Sequence, residues 1–352
     1  MGHRILTNRL NLPETLVNAV KYDTHKQAGS ISVTTLLDAP LIRFLKSQND
    51  WESDVTDNLY ALLGTALHNI LERGNIDTVR EQAFILTADT ILSEAKKLKD
   101  SDPQKASQIE AGANWITSLI PVLFPEPSKR YIFEKTMTLD YGDHVISGTF
   151  DLFDTETGIL WDYKFCSTFS FMHPESRKKW DRQLNIYAYM LQKAGYEVKG
   201  LKICAFFRDW NSHGSLKNKD YPKNQIQEIE LVLRPNDRIE ALINYHLNLH
   251  RDADAGKPVS CSGEDRWASG DTYAVKTGKV ARAVSGGIFP DEAGANKFIE
   301  ENRHRMKDLW VDKRPGVSRR CLGYCPVNKV CPQYKRELEQ NKILGIDSAV
   351  AV

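Results

Sequence analysis

The stretch ISGTFDLFDTETGILWDYKF, residues 146–165, decides the fold. Two β-type runs flank Thr155-Glu156-Thr157-Gly158, a turn sequence ending in a glycine that tolerates positive φ. If the chain reverses there, partners across the hairpin have numbers summing to 313, so Asp151 faces Asp162. Directly opposed residues sit about 4.5 to 5.5 Å apart at Cβ, and like charges there repel. A hard divalent cation such as magnesium or manganese would convert that repulsion into ligation. The strand period of two places Lys164 on the same face as both acids. Two carboxylates and an ammonium can together support phosphodiester hydrolysis: water activation, charge neutralisation and positioning of the nucleophile. A bare D-x-K reads more simply as an exposed acid pair with Lys164 as a surface salt-bridge partner. Its surroundings must decide between the two.

Working outward, Tyr131 to Phe165 predicts three consecutive antiparallel strands, with Tyr141-Gly142-Asp143 as the first turn. A helix is predicted over 175–194, strands over 199–208 and 226–233, and a helix over 235–254. Upstream, Leu59, Leu62, Leu63, Ala66, Leu67, Ile70 and Leu71 recur every three or four residues, a helix over 57–73 that Gly74 ends. Further helices are expected over 78–99 and 104–120. Residues 30–46 carry a helical rhythm broken or restarted at Pro40. Residues 1–29 read as a loosely packed arm, and the region after 254 as smaller and irregular with a last helix near 333–342. The fold class is α/β, a central mixed sheet flanked by helices. The expected division is an N-terminal arm and helical segment (1–56), a core (57–255) and a cysteine-bearing C-terminal region packing on it (256–352).

GTALHNILE (64–72), ISGTFDLFD (146–154), WDYKF (161–165) and QLNIYAYML (183–191), in that order, resemble the RecB-like branch of the PD-(D/E)XK nuclease superfamily. The resemblance implies a restriction-endonuclease-like core and a magnesium- or manganese-dependent deoxyribonuclease. His68, Asp151 and Asp162 would be the metal ligands, with the Tyr163 carbonyl as another, and Lys164 would orient and polarise the attacking water. Gln183 and Tyr187, one helical turn apart, would brace the site or touch DNA. Glu134 matches an acid often found on the first strand of the family. Taken singly, a histidine beside an apolar helix face is more often a core residue. Family analogy further implies exonuclease-like action on single strands or DNA ends, in replication, recombination, repair or phage DNA processing. The rival readings are a catalytically silent DNA-binding module and the nuclease subunit of a larger recombination complex. No G-x-x-x-x-G-K-[ST] loop is present, so a helicase or recombination motor would be a separate partner.

Some members of that family hold a [4Fe-4S] cluster with one cysteine before the core and three after it. Cys321, Cys325 and Cys331 match the last three, whereas the early Cys-Pro reads Ala39-Pro40 here. Cys261, in the same C-terminal region, is the best substitute. Four thiolates could equally hold a structural zinc. Cys166 and Cys204 lie on predicted strands and read as small buried apolar residues.

Composition limits the remaining classes. A net charge of +1 gives no global signal for nucleic acid, so binding must rest on local patches. Two stand out: Arg177, Lys178, Lys179 and Arg182, interleaved with Phe169, Phe171 and Trp180, and Lys313, Arg314, Arg319 and Arg320. Basic runs are as often merely solvated. Apolar runs are too short for a membrane span, and the N-terminus lacks an apolar signal segment. Leu6 stands where N-myristoylation wants Ser or Thr. The expected setting is a reducing cytoplasm, bacterial or of a phage-infected host. Oligomeric state is not readable.

Overall fold

The computed structural model describes residues 2–21, 30–72, 74, 76–123 and 130–343. In chain order, β1 (Arg4–Thr7), α1 (Glu14–Lys21), β2 (Ser30–Ser32), α2 (Val33–Leu36), α3 (Pro40–Gln48) and β3 (Trp51–Asp54) come first. Helices α4 (Leu59–Glu72), α5 (Ile76–Leu98) and α6 (Pro103–Leu123) follow. Next are β4 (Tyr131–Asp140), β5 (Val145–Asp154), β6 (Ile159–Cys166), α7 (Thr168–Met172) and α8 (Pro174–Lys193). After them come β7 (Gly200–Phe207), α9 (Ser212–Lys217), β8 (Ile226–Leu231) and α10 (Asn236–Asp254). Last are β9 (Thr272–Thr277), β10 (Ile288–Phe289), α11 (Glu292–Asn302), β11 (Leu309–Arg314) and α12 (Pro332–Ile343).

The fold is α/β. The main sheet runs β2-β5-β6-β7-β8 with β4 beside β5, and it is mixed: β2–β5 and β6–β7 are parallel, the other pairs antiparallel. The hairpin register is the expected one, because Leu152↔Trp161, Phe153↔Leu160 and Asp154↔Ile159 each sum to 313. Gly158, at φ +71°, makes the turn. β4 takes one edge of β5 along nearly its whole length, so β2 and β6 share the other. β2 pairs with residues 145–147 and β6 with 152–154. Among the described residues, 148–151 therefore have no strand beside them on that edge, and the site is built in this gap.

Consecutive residues of β6 point to opposite faces. Lys164 meets Gln183 of α8 on one face, and the Tyr163 ring meets His68 of α4 on the other. α8 starts cleanly, with Pro174 in its first turn and Glu175 complementing the helix dipole. Its whole middle, Leu184 to Leu191, is buried, so it is packed on all sides. The one polar residue of that run, Asn185, is satisfied: its amide donates to the Asp181 and Val232 carbonyls and its oxygen accepts from the Arg234 N–H.

Contacts divide the chain into two compact units, each discontinuous in sequence. Residues 12–33 and 56–242 form the one that carries the main sheet, and 1–11, 34–55 and 243–352 form the other. Both ends of the chain are more ordered than composition suggests. Residues 4–7, expected in a loose arm, pair in parallel with 51–54, and α1 occupies 14–21; residues 22–29 of that arm lie outside the described residues. Part of the supposedly irregular region is a three-stranded sheet, β10-β9-β11, beside α11. Its short strands lack clear alternation, although Asp291, which caps α11 by accepting the Gly294 N–H, is a readable helix start. No described helix is long and apolar enough to cross a membrane.

Candidate active site and a cysteine-lined cavity

Asp151 lies in the gap on β5, where its Oδ2 accepts the backbone N–H of Tyr163 on β6. A carboxylate thus replaces a main-chain carbonyl as partner and ties the two strands beyond the end of their ladder. His68, on α4, sets its Nδ1 2.9 Å from Glu134 Oε1 and 3.5 Å from Asp151 Oδ1. One ligand atom from each of His68, Glu134 and Asp151 falls within 4.8 Å of the others. Glu134 is held at φ +42° in mid-strand, a conformation that costs a side-chain-bearing residue about 1 kcal/mol or more. The β4–β5 register passes straight over it, Phe133↔Leu152 and Lys135↔Phe150 flanking the unpaired Glu134–Asp151 rung. Local distortion, which no sequence pattern announces, is what accompanies Glu134 into the site.

Asp162 lies outside that trio. Its Oδ1 accepts from Lys164 Nζ at 3.0 Å, and Nζ also reaches Gln183 Oε1 at 3.2 Å. Gln183 Nε2 donates to the Tyr187 hydroxyl at 3.1 Å, so α8 anchors the ammonium through its glutamine and tyrosine. The Tyr187 ring lies against Gly148, where a Cβ would stand 2.5 Å from its Cε1. The ring of Tyr187 therefore packs flush on the sheet face at a position that only glycine admits.

These groups are buried and mutually charged. Burial, followed by repulsion from Asp162, lifts Asp151 from 3.8 to about 7, although His68, Lys164 and the Tyr163 N–H pull it down. The hydrogen bond to Glu134 raises the His68 imidazole, outweighing its burial, and Asp151 adds to it. Burial alone would lower Lys164, yet Asp162 and Asp151 together keep it raised and charged. Burial pushes the Tyr163 and Tyr187 hydroxyls up to about 12. Asp162 is 2% exposed, and its Oδ2, 2.8 Å from Lys164 Nζ, accepts no hydrogen bond among the described residues. An imidazole, two converging carboxylates and a third, buried carboxylate close by fit a hard divalent cation.

The model of the PD-(D/E)XK nuclease superfamily matches residues 32–332. The chain belongs to that superfamily. Among solved structures, the PD-(D/E)XK chain is similar to SSO0001, at 16% identity and a TM-score of 0.34 over 69% of this chain and 84% of that one. It is also similar to a protein of Eubacterium rectale named a candidate exonuclease, at 13% identity and a TM-score of 0.27 over 53% and 71%. No curated protein sequence matches it.

The other unit of this PD-(D/E)XK protein holds a second donor set. Cys261, Cys321, Cys325 and Cys331 line one cavity with Leu41, Ile42 and Leu45 of α3. Ala39, where the family's early cysteine would stand, is packed into the same cluster. Gln333 of α12 clamps Cys261 in both directions, accepting its N–H and donating to its carbonyl. Burial pushes the Cys261 thiol up to about 12 and Cys321 to about 11, with neighbouring thiols adding. Among the described residues, no three of these sulfurs lie within 4.8 Å of one another. Cys166 and Cys204 stay on β6 and β7, half-buried rather than fully buried.

Several members of the two basic patches are engaged by groups of the chain itself. Arg320 makes a two-pronged ion pair with Asp38, and Lys313 and Arg314 pair with Asp271 and Asp312. Arg177 donates to the Phe171 carbonyl and lies over its ring, Lys178 pairs with Glu175, and Phe171 is buried against Phe207. Of the three aromatics singled out, Phe169 is strongly exposed, at 60%. A run of basic letters does not reveal which carboxylates the fold will bring to them.

Proposed function

We propose that this chain is a magnesium- or manganese-dependent deoxyribonuclease of the RecB-like kind, acting like an exonuclease on single strands or DNA ends. The observation that carries this reading is the convergence of His68, Glu134 and Asp151 beside the Asp162–Lys164 pair. His68, Asp151 and Asp162 would hold the cation, with Glu134 and the Tyr163 carbonyl available as further ligands. A bound cation would supply charge neutralisation at the phosphate and acidify a water. Lys164, fixed between Asp162 and Gln183, orients the attacking water and stays protonated to offset charge on the phosphoryl oxygens. Tyr187 and Gln183 hold that ammonium in place.

The four cysteines would hold a [4Fe-4S] cluster. A tetrahedral zinc with Zn–S bonds of about 2.3 Å would draw its four thiolates to roughly 3.8 Å from one another, whereas no three of these sulfurs lie within 4.8 Å of one another among the described residues. The cluster would staple α3, the Cys261 loop and α12 together, an architectural role. None of the six cysteines is in a disulfide, in keeping with a reducing cytoplasm, and the pathway would be replication, recombination, repair or phage DNA processing, alone or with a separate motor protein.

The test is digestion of 5′- and 3′-labelled single- and double-stranded DNA by anaerobically purified protein in Mn2+. Metal-dependent shortening from ends is expected. Wild type that leaves every substrate whole across metals would instead favour a silent binding module.

A further inference from the structure

We propose that Tyr60 and Arg208 form a docking subsite for an unpaired DNA strand, about 12 Å from the candidate metal ligands; this rests on the nuclease reading. The Arg208 guanidinium lies 4.0 Å from the Tyr60 ring centroid. Both side chains are exposed, Tyr60 by 57%, and Arg208 has no carboxylate in ion-pair range among the described residues. Arg314 and Arg320, by contrast, pair with acids, and Arg177 donates to a backbone carbonyl. Its main chain is fixed, because the Arg208 N–H donates to the Cys166 carbonyl at the end of β6.

The stack is in line with the site. On the α4 face of the sheet, the His68 ring meets Tyr163 edge-on at 6.2 Å and Tyr163 meets Phe206 at 6.4 Å. Phe206 and Arg208 share that face of the chain, since Leu201, Ile203, Ala205 and Phe207 turn to the buried one. Tyr163 pairs with Cys204, and four residues of strand from there to Arg208 cover about 13 Å. Eight residues of helix from His68 back to Tyr60 cover about 12 Å. Helix and strand therefore run alongside in opposite directions, and the two lengths agree in setting the stack one groove-length from His68. At roughly 3.4 Å per stacked nucleotide, that is three to four nucleotides.

The chemistry suits one unpaired strand. A guanidinium over one face of a ring can still offer N–H donors to phosphate oxygens, and the ring has its other face to offer a base. A strand anchored there would be held in register with its scissile phosphate near His68.

The test uses the full-length protein, a fluorescent T20 oligonucleotide and the dinucleotide TpT. Binding is read by anisotropy in Ca2+, and kcat and KM in Mn2+. Tyr60→Ala and Arg208→Ala should each weaken T20 binding and raise its KM ~5- to 100-fold with kcat little changed, while Tyr60→Phe stays near wild type. The penalty should vanish with TpT, which is too short to reach from His68 to Tyr60. Variants that bind T20 like wild type, or that lose kcat and melting temperature together, would overturn the subsite and leave hydrolysis standing. Wild type that neither binds nor cuts T20 would overturn both readings.

Discussion

Replacing Asp151 with asparagine should make the metal-free protein more stable at alkaline pH and abolish the response to metal. Asp151 is 6% exposed, and burial with Asp162 nearby lifts it from 3.8 to about 7. Over that interval the folded chain keeps a proton that the unfolded chain has released. The contribution of this group to stability is therefore complete below about pH 4 and is lost as the pH climbs through 7. At about 1.4 kcal/mol per pH unit the interval amounts to on the order of 4 kcal/mol. Asparagine keeps an oxygen for the Tyr163 N–H and never ionises. Urea unfolding in EDTA should give wild type and Asp151→Asn similar stabilities near pH 4 and a widening advantage to the variant up to pH 8. Adding Mn2+ at pH 8 should stabilise wild type and leave the variant nearly unmoved. Parallel pH profiles for the two proteins in EDTA would refute the claim that a desolvated carboxylate sits at this position.

Lys164→Ala should reduce cleavage of labelled DNA by ~100-fold or more while DNA affinity changes little, as expected for a group that acts mainly on the transition state. Gly148→Ala should destabilise the sheet-bearing unit by about 1 to 3 kcal/mol, because its Cβ would stand 2.5 Å from Tyr187 Cε1; a Tyr187→Ala background should remove most of that cost in urea unfolding. Cys261→Ser should abolish the visible iron–sulfur absorbance of anaerobically purified protein and lower its thermal midpoint, and an unchanged spectrum would count against the four-cysteine assignment.

Much of this was legible because it is local. A four-residue turn fixes numbers across a hairpin, so the 313 register followed from Thr155–Gly158 alone. Helical spacing put Gln183 and Tyr187 on one face, and they hydrogen-bond there. Cys261, singled out as the substitute for the residue at Ala39, lines one cavity with Cys321, Cys325 and Cys331. What was less legible is tertiary. Glu134 was matched to the family's first-strand acid, but its left-handed backbone in mid-strand is something propensity gives no hint of. Asp162 is drawn to Lys164, two residues along its own strand, so acid pairing across the hairpin overstates how closely the two aspartates share a ligand point. Lys313 and Arg320 read as a phosphate-binding patch until Asp271 and Asp38 arrive from distant parts of the chain.

The central claim is that one hard cation sits among these side chains. Crystals grown with Mn2+ and measured at the manganese edge test it directly. A single strong anomalous peak bonded to His68 and Asp151, and to Asp162 or Glu134, is the predicted result. No peak at saturating Mn2+, or a peak that touches none of these residues, would contradict it.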